Sequence, residues 1–142
     1  MKLTRLVLSA LALIICAMQP GVLRAADAKC LESFQETAKR TRGQANVYLN
    51  EMKGMVGDPW ARNSASVCGS ALARAEQYSK RQSATDALCT KGSSYVDNQA
   101  LQLYKTANST CRAELSNVLS KMPPDEQRLV TDRVARAEAA MR

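Results

Sequence analysis

The sequence predicts an all-α fold: a disulfide-stabilised antiparallel bundle of three long helices plus a shorter C-terminal helix. Three observations predict it. Apolar residues recur three and four positions apart through most of residues 28–141, which places them on one face of a helix. Glycine and proline punctuate that pattern at a few points, Gly54 to Pro59, Gly92, and Pro123-Pro124. Cys30, Cys68, Cys89 and Cys111 form an even set spread along it, which reads as two disulfides. No run alternates in the manner of a strand.

Ahead of the helices, Met1–Ala25 has the three parts of a secretory signal peptide. Lys2 and Arg5 supply a basic start, Leu6 to Met18 an apolar stretch, and Pro20-Gly21 a break. Cleavage is expected near Ala25 or Ala26, which leaves residues 26–142 as a single helical domain with no transmembrane segment. Cys16 leaves with the signal. Ile15 before it lacks the small side chain that a lipoprotein peptidase needs. Removal of Lys2, Arg5 and Arg24 lowers the formal charge from +7 to +4. The expected location is the periplasm or the exterior, where disulfides persist.

The first helix is expected from about Ala28 to Met55, capped by Asp27, whose carboxylate can accept from the free N–H groups of the first turn. Leu31, Phe34, Ala38, Thr41, Ala45, Tyr48, Met52 and Met55 form its seam, and Gly54 and Gly57 end it. Asp58-Pro59 opens the second helix, since proline at the first helical position gives up an N–H that would have no partner. Its expected inner face is Trp60, Val67, Ala71, Ala75 and Tyr78, with Cys68 beside it. A short helical turn is expected around Asp86–Thr90, led by Ser83 and Asp86 as a capping pair.

The third helix is expected from about Ser94 to Lys121, with Val96, Ala100, Leu103, Ala107, Cys111, Leu115, Val118 and Met122 inward. Pro123-Pro124 stops it. Asp125-Glu126 then opens the fourth helix, acids set against the positive helix end. Val130, Val134, Ala137 and Met141 are its apolar face. If helices two and three form a hairpin about residues 83–92, Cys68 and Cys111 stand at similar height on either side of the turn. Cys30 then lies at the end of the bundle that holds Cys89. Of the three connectivities, this geometry selects Cys68–Cys111 and Cys30–Cys89; the sequence alone leaves the other two open.

Several chemistries are excluded by composition. The chain has no histidine, which removes Ser-His and Cys-His nucleophile pairs and histidine metal sites. It has no Cys-x-x-Cys and no glycine-rich phosphate loop, so redox and nucleotide motifs are missing. No enzyme activity, cofactor or metal is expected. Glu32 and Glu36 share a helix face and read as a solvated acidic stripe near the helix start. The densest basic cluster is Lys39, Arg40 and Arg42, a candidate contact for phosphate, a lipid headgroup or an acidic partner. Aromatic residues do not interleave with it, so a nucleic-acid partner is not expected. Trp60, the single tryptophan, has two readings: a cover over the bundle end, or an exposed anchor for a partner.

The stretches Trp60–Cys68, "WARNSASVC", and Tyr48–Asn50, "YLN", are similar to the Trp-to-Cys and Leu-Asn elements of the LprI-like lysozyme-inhibitor domain. That resemblance implies a small exported helical inhibitor, although Ser64 stands where the family has an arginine. The residues themselves point to an exported protein that binds another envelope macromolecule, as a secretion or conjugation accessory, a chaperone or a toxin-neutralising partner. The alternative is a binder of anionic surfaces, lipid or polyanion, through the basic helix face. Lysozyme inhibition is a minor further alternative.

Overall fold

The computed structural model describes residues 20–81, 89 and 99–142, with side chains described from Ala28 onward. Four helices span the described residues: α1 (Pro20–Gly54), α2 (Pro59–Arg81), α3 (Gln99–Leu119) and α4 (Pro124–Ala139). The fold is an all-α bundle closed by two disulfides, and no strand occurs among the described residues. The chain runs up, down, up and down. Cys68 pairs with Cys111 across α2 and α3, and Trp60 at the start of α2 meets Lys121 just past the end of α3. The Tyr78 hydroxyl donates to Gln99 at the other end of that hairpin. On the opposite side of α1, Glu51 pairs with Arg133 at 3.2 Å and Tyr48 donates to Glu138, so α4 returns antiparallel along α1.

The first helix is longer than expected. It begins at Pro20, not near Ala28, so Asp27 lies inside it and is no N-cap. Proline at the first helical position costs no hydrogen bond, and Val22 to Ala26 contains nothing that breaks a helix. The expected cleavage positions, Ala25 and Ala26, therefore fall within a continuous helix. The remainder of the expected signal, Met1 to Gln19, lies outside the described residues, as do the Ser83–Asp86 cap, Val96 and the expected start of the third helix at Ser94.

Local chemistry fixes the other helix ends. Asp58 caps α2 as its sequence demands: its Oδ1 accepts from the Trp60 N–H at 2.7 Å and the Ala61 N–H at 3.3 Å. Pro123 precedes α4 and has no side chain able to cap it. Asp125 and Glu126 sit in its first turn instead, where their charge opposes the helix dipole. Gln127 donates from Nε2 back to the Met122 carbonyl at 2.8 Å and ties the turn to α4.

All four helices contribute to the main core. Ala45, Tyr48, Leu49 and Met52 of α1 meet Cys68 and Leu72 of α2, Tyr104, Cys111 and Leu115 of α3, and Val130 and Val134 of α4. Thr41 is buried on the same seam, and its hydroxyl donates to the Thr37 carbonyl at 2.9 Å, which satisfies it within the helix. A second cluster, Phe34 with Ala100 and Leu101, fills the end nearer Cys30.

The inner face of α2 differs from expectation. Ala61, Ser64, Cys68, Leu72 and Ala75 are buried, whereas Trp60 and Val67 are 54% and 41% exposed. The disulfide sets this rotation. Cys68 must point straight at α3, with a Cα–Cα distance of 4.6 Å to Cys111, and so the stripe centred on Cys68 turns inward. Backbones that close at the bridge favour small side chains such as Ala61, Ser64 and Ala75 on the same face.

Candidate functional site

Lys39, Arg40 and Arg42 project from α1 beside its packing seam. Thr41 and Ala45 point into the bundle while the three cations stay exposed, because residues one or two apart on a helix face different ways. The three line a groove of about 520 Å³ with Glu36, Gly43 and Asn46 of α1 and with Met141 and Arg142 beyond the end of α4. The groove is thus built from α1 and the tail that follows α4. Four basic side chains line it with one acidic side chain, Glu36, which accepts from Arg40 Nη2 at 3.1 Å. Both members of that pair are exposed, so it orients Arg40 more than it stabilises the fold.

Gly43 lets the two walls approach. A Cβ there would lie 2.9 Å from Met141 Sδ, so the absent side chain allows the tail of α4 to rest on α1. Sequence reasoning missed Met141 and Arg142 as neighbours of the basic cluster. The available signal was the antiparallel return of α4: once Val130 and Val134 pack on Met52 and its neighbours, a helix rising about 1.5 Å per residue brings Met141 level with Gly43.

Two inter-helix polar contacts hold this wall. Arg133 reaches both carboxylate oxygens of Glu51. Deeper, the Tyr48 hydroxyl donates to Glu138. Burial, reinforced by the hydrogen bond and the charge of Glu138, pushes the Tyr48 phenol from its usual 10.0 up to about 12, against a lowering influence from Arg112. The folded state therefore holds this proton more tightly than the unfolded chain does. Its contribution to stability is complete below about pH 10 and is lost as pH rises towards about 12. Urea titrations at about pH 9 and about pH 11.5 should show a smaller alkaline loss for Tyr48→Phe than for the native chain. Equal losses would show that the Tyr48 phenol does not couple to folding.

Trp60 occupies a different part of the surface. It is exposed in the first turn of α2, and Lys121 Nζ lies 3.5 Å from its ring centroid. It borders the α1–α2 end, about 18 Å along α1 from Arg42 at 1.5 Å per residue. The structure does not join it to the basic groove. Of the basic residues on α2, Arg74 and Lys80 line a separate depression with Glu76 and Gln77, and Arg62 donates to the Val56 carbonyl at 3.4 Å. None of them extends the α1 groove. Glu32 and Glu36 are exposed on α1.

The four cysteines are placed as two bridges, Cys30–Cys89 with Cα atoms 5.7 Å apart and Cys68–Cys111 in the core. Among the described residues, no helix is long and apolar enough to cross a membrane. No family model, curated protein or solved structure matches the chain. The resemblance of Trp60–Cys68 and Tyr48–Asn50 to the lysozyme-inhibitor domain is therefore confined to those short stretches.

Proposed function

We propose that this is a small exported helical protein, resident in the periplasm or outside the cell, that binds another envelope macromolecule and catalyses no reaction. The basic face of α1 is its contact surface. One observation carries the reading: Lys39, Arg40 and Arg42 stand together on an exposed groove while the seam between them packs the core. Two disulfides fit an oxidising compartment, and the basic start and apolar stretch of residues 2–18 supply a route of export. A cationic groove with one acidic residue attracts an acidic partner over a distance and helps to align it. The same surplus of cations supports the second reading, attachment to an anionic surface.

The test is affinity capture from the native envelope under non-reducing conditions, with the native chain and a Lys39→Ser, Arg40→Ser, Arg42→Ser variant run in parallel. The variant should melt normally, since exposed substitutions typically change stability by no more than about 0.5 kcal/mol each. It should lose the partner that the native chain retains, and any residual binding should depend less on salt. Equal capture and equal salt dependence by both would reject the basic face. Trp60→Ala in the same experiment should leave melting nearly unchanged, because the ring is more than half exposed; loss of the partner would add it to the contact surface.

A further inference from the structure

We infer that the groove between α1 and α4 is a phosphate-binding site, completed by Arg142. This rests on the basic-face reading and adds two things to it: the chemical class of the ligand, and a residue from the tail that follows α4, which the α1 cluster does not include.

Among the described residues, three arginines are paired: Arg40 with Glu36 at 3.1 Å, Arg133 with Glu51 at 3.2 Å, and Arg128 with Asp125 at 3.9 Å. Lys39, Arg42 and Arg142, like most cations among the described residues, have no acidic side chain within 4.0 Å, and all three line one groove. Like charges gathered on one face repel one another. Here α1 and the tail of α4 bring them together, and the packing that does so is specific: Met141 settles over Gly43 and places Arg142 in the same groove as Arg42. An anion from outside relieves that repulsion and would join the two walls.

The donors favour phosphate over carboxylate. They line the groove from α1 and from the tail of α4 and include guanidinium forks, an ammonium and the Asn46 amide. A carboxylate offers two oxygens whose lone pairs lie in one plane. A phosphate group offers oxygens in tetrahedral directions and can accept from both walls at once, and arginine pairs with it in bidentate fashion. Met141 gives the groove an apolar side able to rest against the carbon skeleton of a phosphate ester. Both a free phosphate compound and a phospholipid headgroup present this chemistry.

The experiment follows backbone amide shifts of the native chain as inorganic phosphate or succinate is added at constant ionic strength. In parallel, it measures co-sedimentation with phosphatidylcholine vesicles with and without phosphatidylglycerol. Phosphate should perturb the amides of residues 39–46 and 141–142 at concentrations where succinate does not. Arg142→Ser should weaken phosphate binding about tenfold, the scale of one lost charge-assisted hydrogen bond. Arg128→Ser, an exposed and paired arginine on the same helix, should bind as the native chain does. Arg142-dependent sedimentation with phosphatidylglycerol would assign the site to lipid headgroups; phosphate binding without sedimentation would assign it to free phosphate compounds. Equal response to phosphate and succinate, or no effect of Arg142→Ser, would overturn the site. If the triple serine variant still loses its envelope partner in that event, the basic-face reading stands and only the phosphate assignment fails.

Discussion

Replacing Cys68 and Cys111 together by alanine is expected to lower the free energy of unfolding by about 4 kcal/mol, on the chain-entropy scale for a loop of this size. The bridge spans 43 residues of sequence, so the reduced unfolded chain gains much freedom that the oxidised chain lacks. A second contribution adds to the first. Both cysteines are fully buried, and trimming their sulfur atoms leaves space between two helices that meet at 4.6 Å. Cys30–Cys89 closes a loop of 59 residues and has a similar entropic value, but Cys30 is only half-buried. Its double alanine variant should therefore lose less. Urea unfolding of the two variants against the oxidised native chain decides the order. A smaller loss from the Cys68–Cys111 pair would mean that the α2–α3 contact does not depend on its bridge.

Met52→Ala should cost about 3 kcal/mol, within the usual range for emptying a buried methionine site. Met52 is the largest fully buried side chain described. It belongs to the cluster that takes residues from all four helices, so no single neighbour can move in without drawing its own helix along. Met141→Ala offers the contrast. That methionine is half-buried at the groove edge and should cost far less. Thermal unfolding of both would show it, and equal midpoints would place Met52 outside the cooperative core.

The helical class was legible because helical spacing and proline placement are local signals. Asp58-Pro59 marks a real helix start and Pro123-Pro124 a real break between the third and fourth helices, since each acts through its own backbone. The disulfide pairs follow from one topological idea, a hairpin that sets Cys68 opposite Cys111. What the sequence concealed was rotation. On α2, Trp60, Val67 and Ala71 form as good an apolar stripe as Ala61, Ser64, Cys68 and Leu72. Only the closeness of α3 decides between them, and closeness is a property of the pair of helices. Arg142 was hidden for the same reason: nothing near residue 142 announces that it will lie beside residue 42. The longer α1 reflects a continuity that the search for a cap at Asp27 overlooked.

Neither disulfide reaches α4. The covalent frame links α1 to Cys89 and α2 to α3, while among the described residues the fourth helix is attached to α1 by Val130 and Val134, a part-buried phenol–carboxylate hydrogen bond and an ion pair. Its detachment needs no covalent bond to break and exposes only part of the core, so it is a candidate for the partial openings that native proteins undergo while the rest stays folded. One wall of the groove therefore belongs to the cross-linked frame and the other is held by packing and polar contacts. A ligand held by both walls binds the closed form alone and draws the equilibrium towards it. Occupancy would then register as slower amide hydrogen exchange along residues 124–139, with the cross-linked α2–α3 pair unchanged.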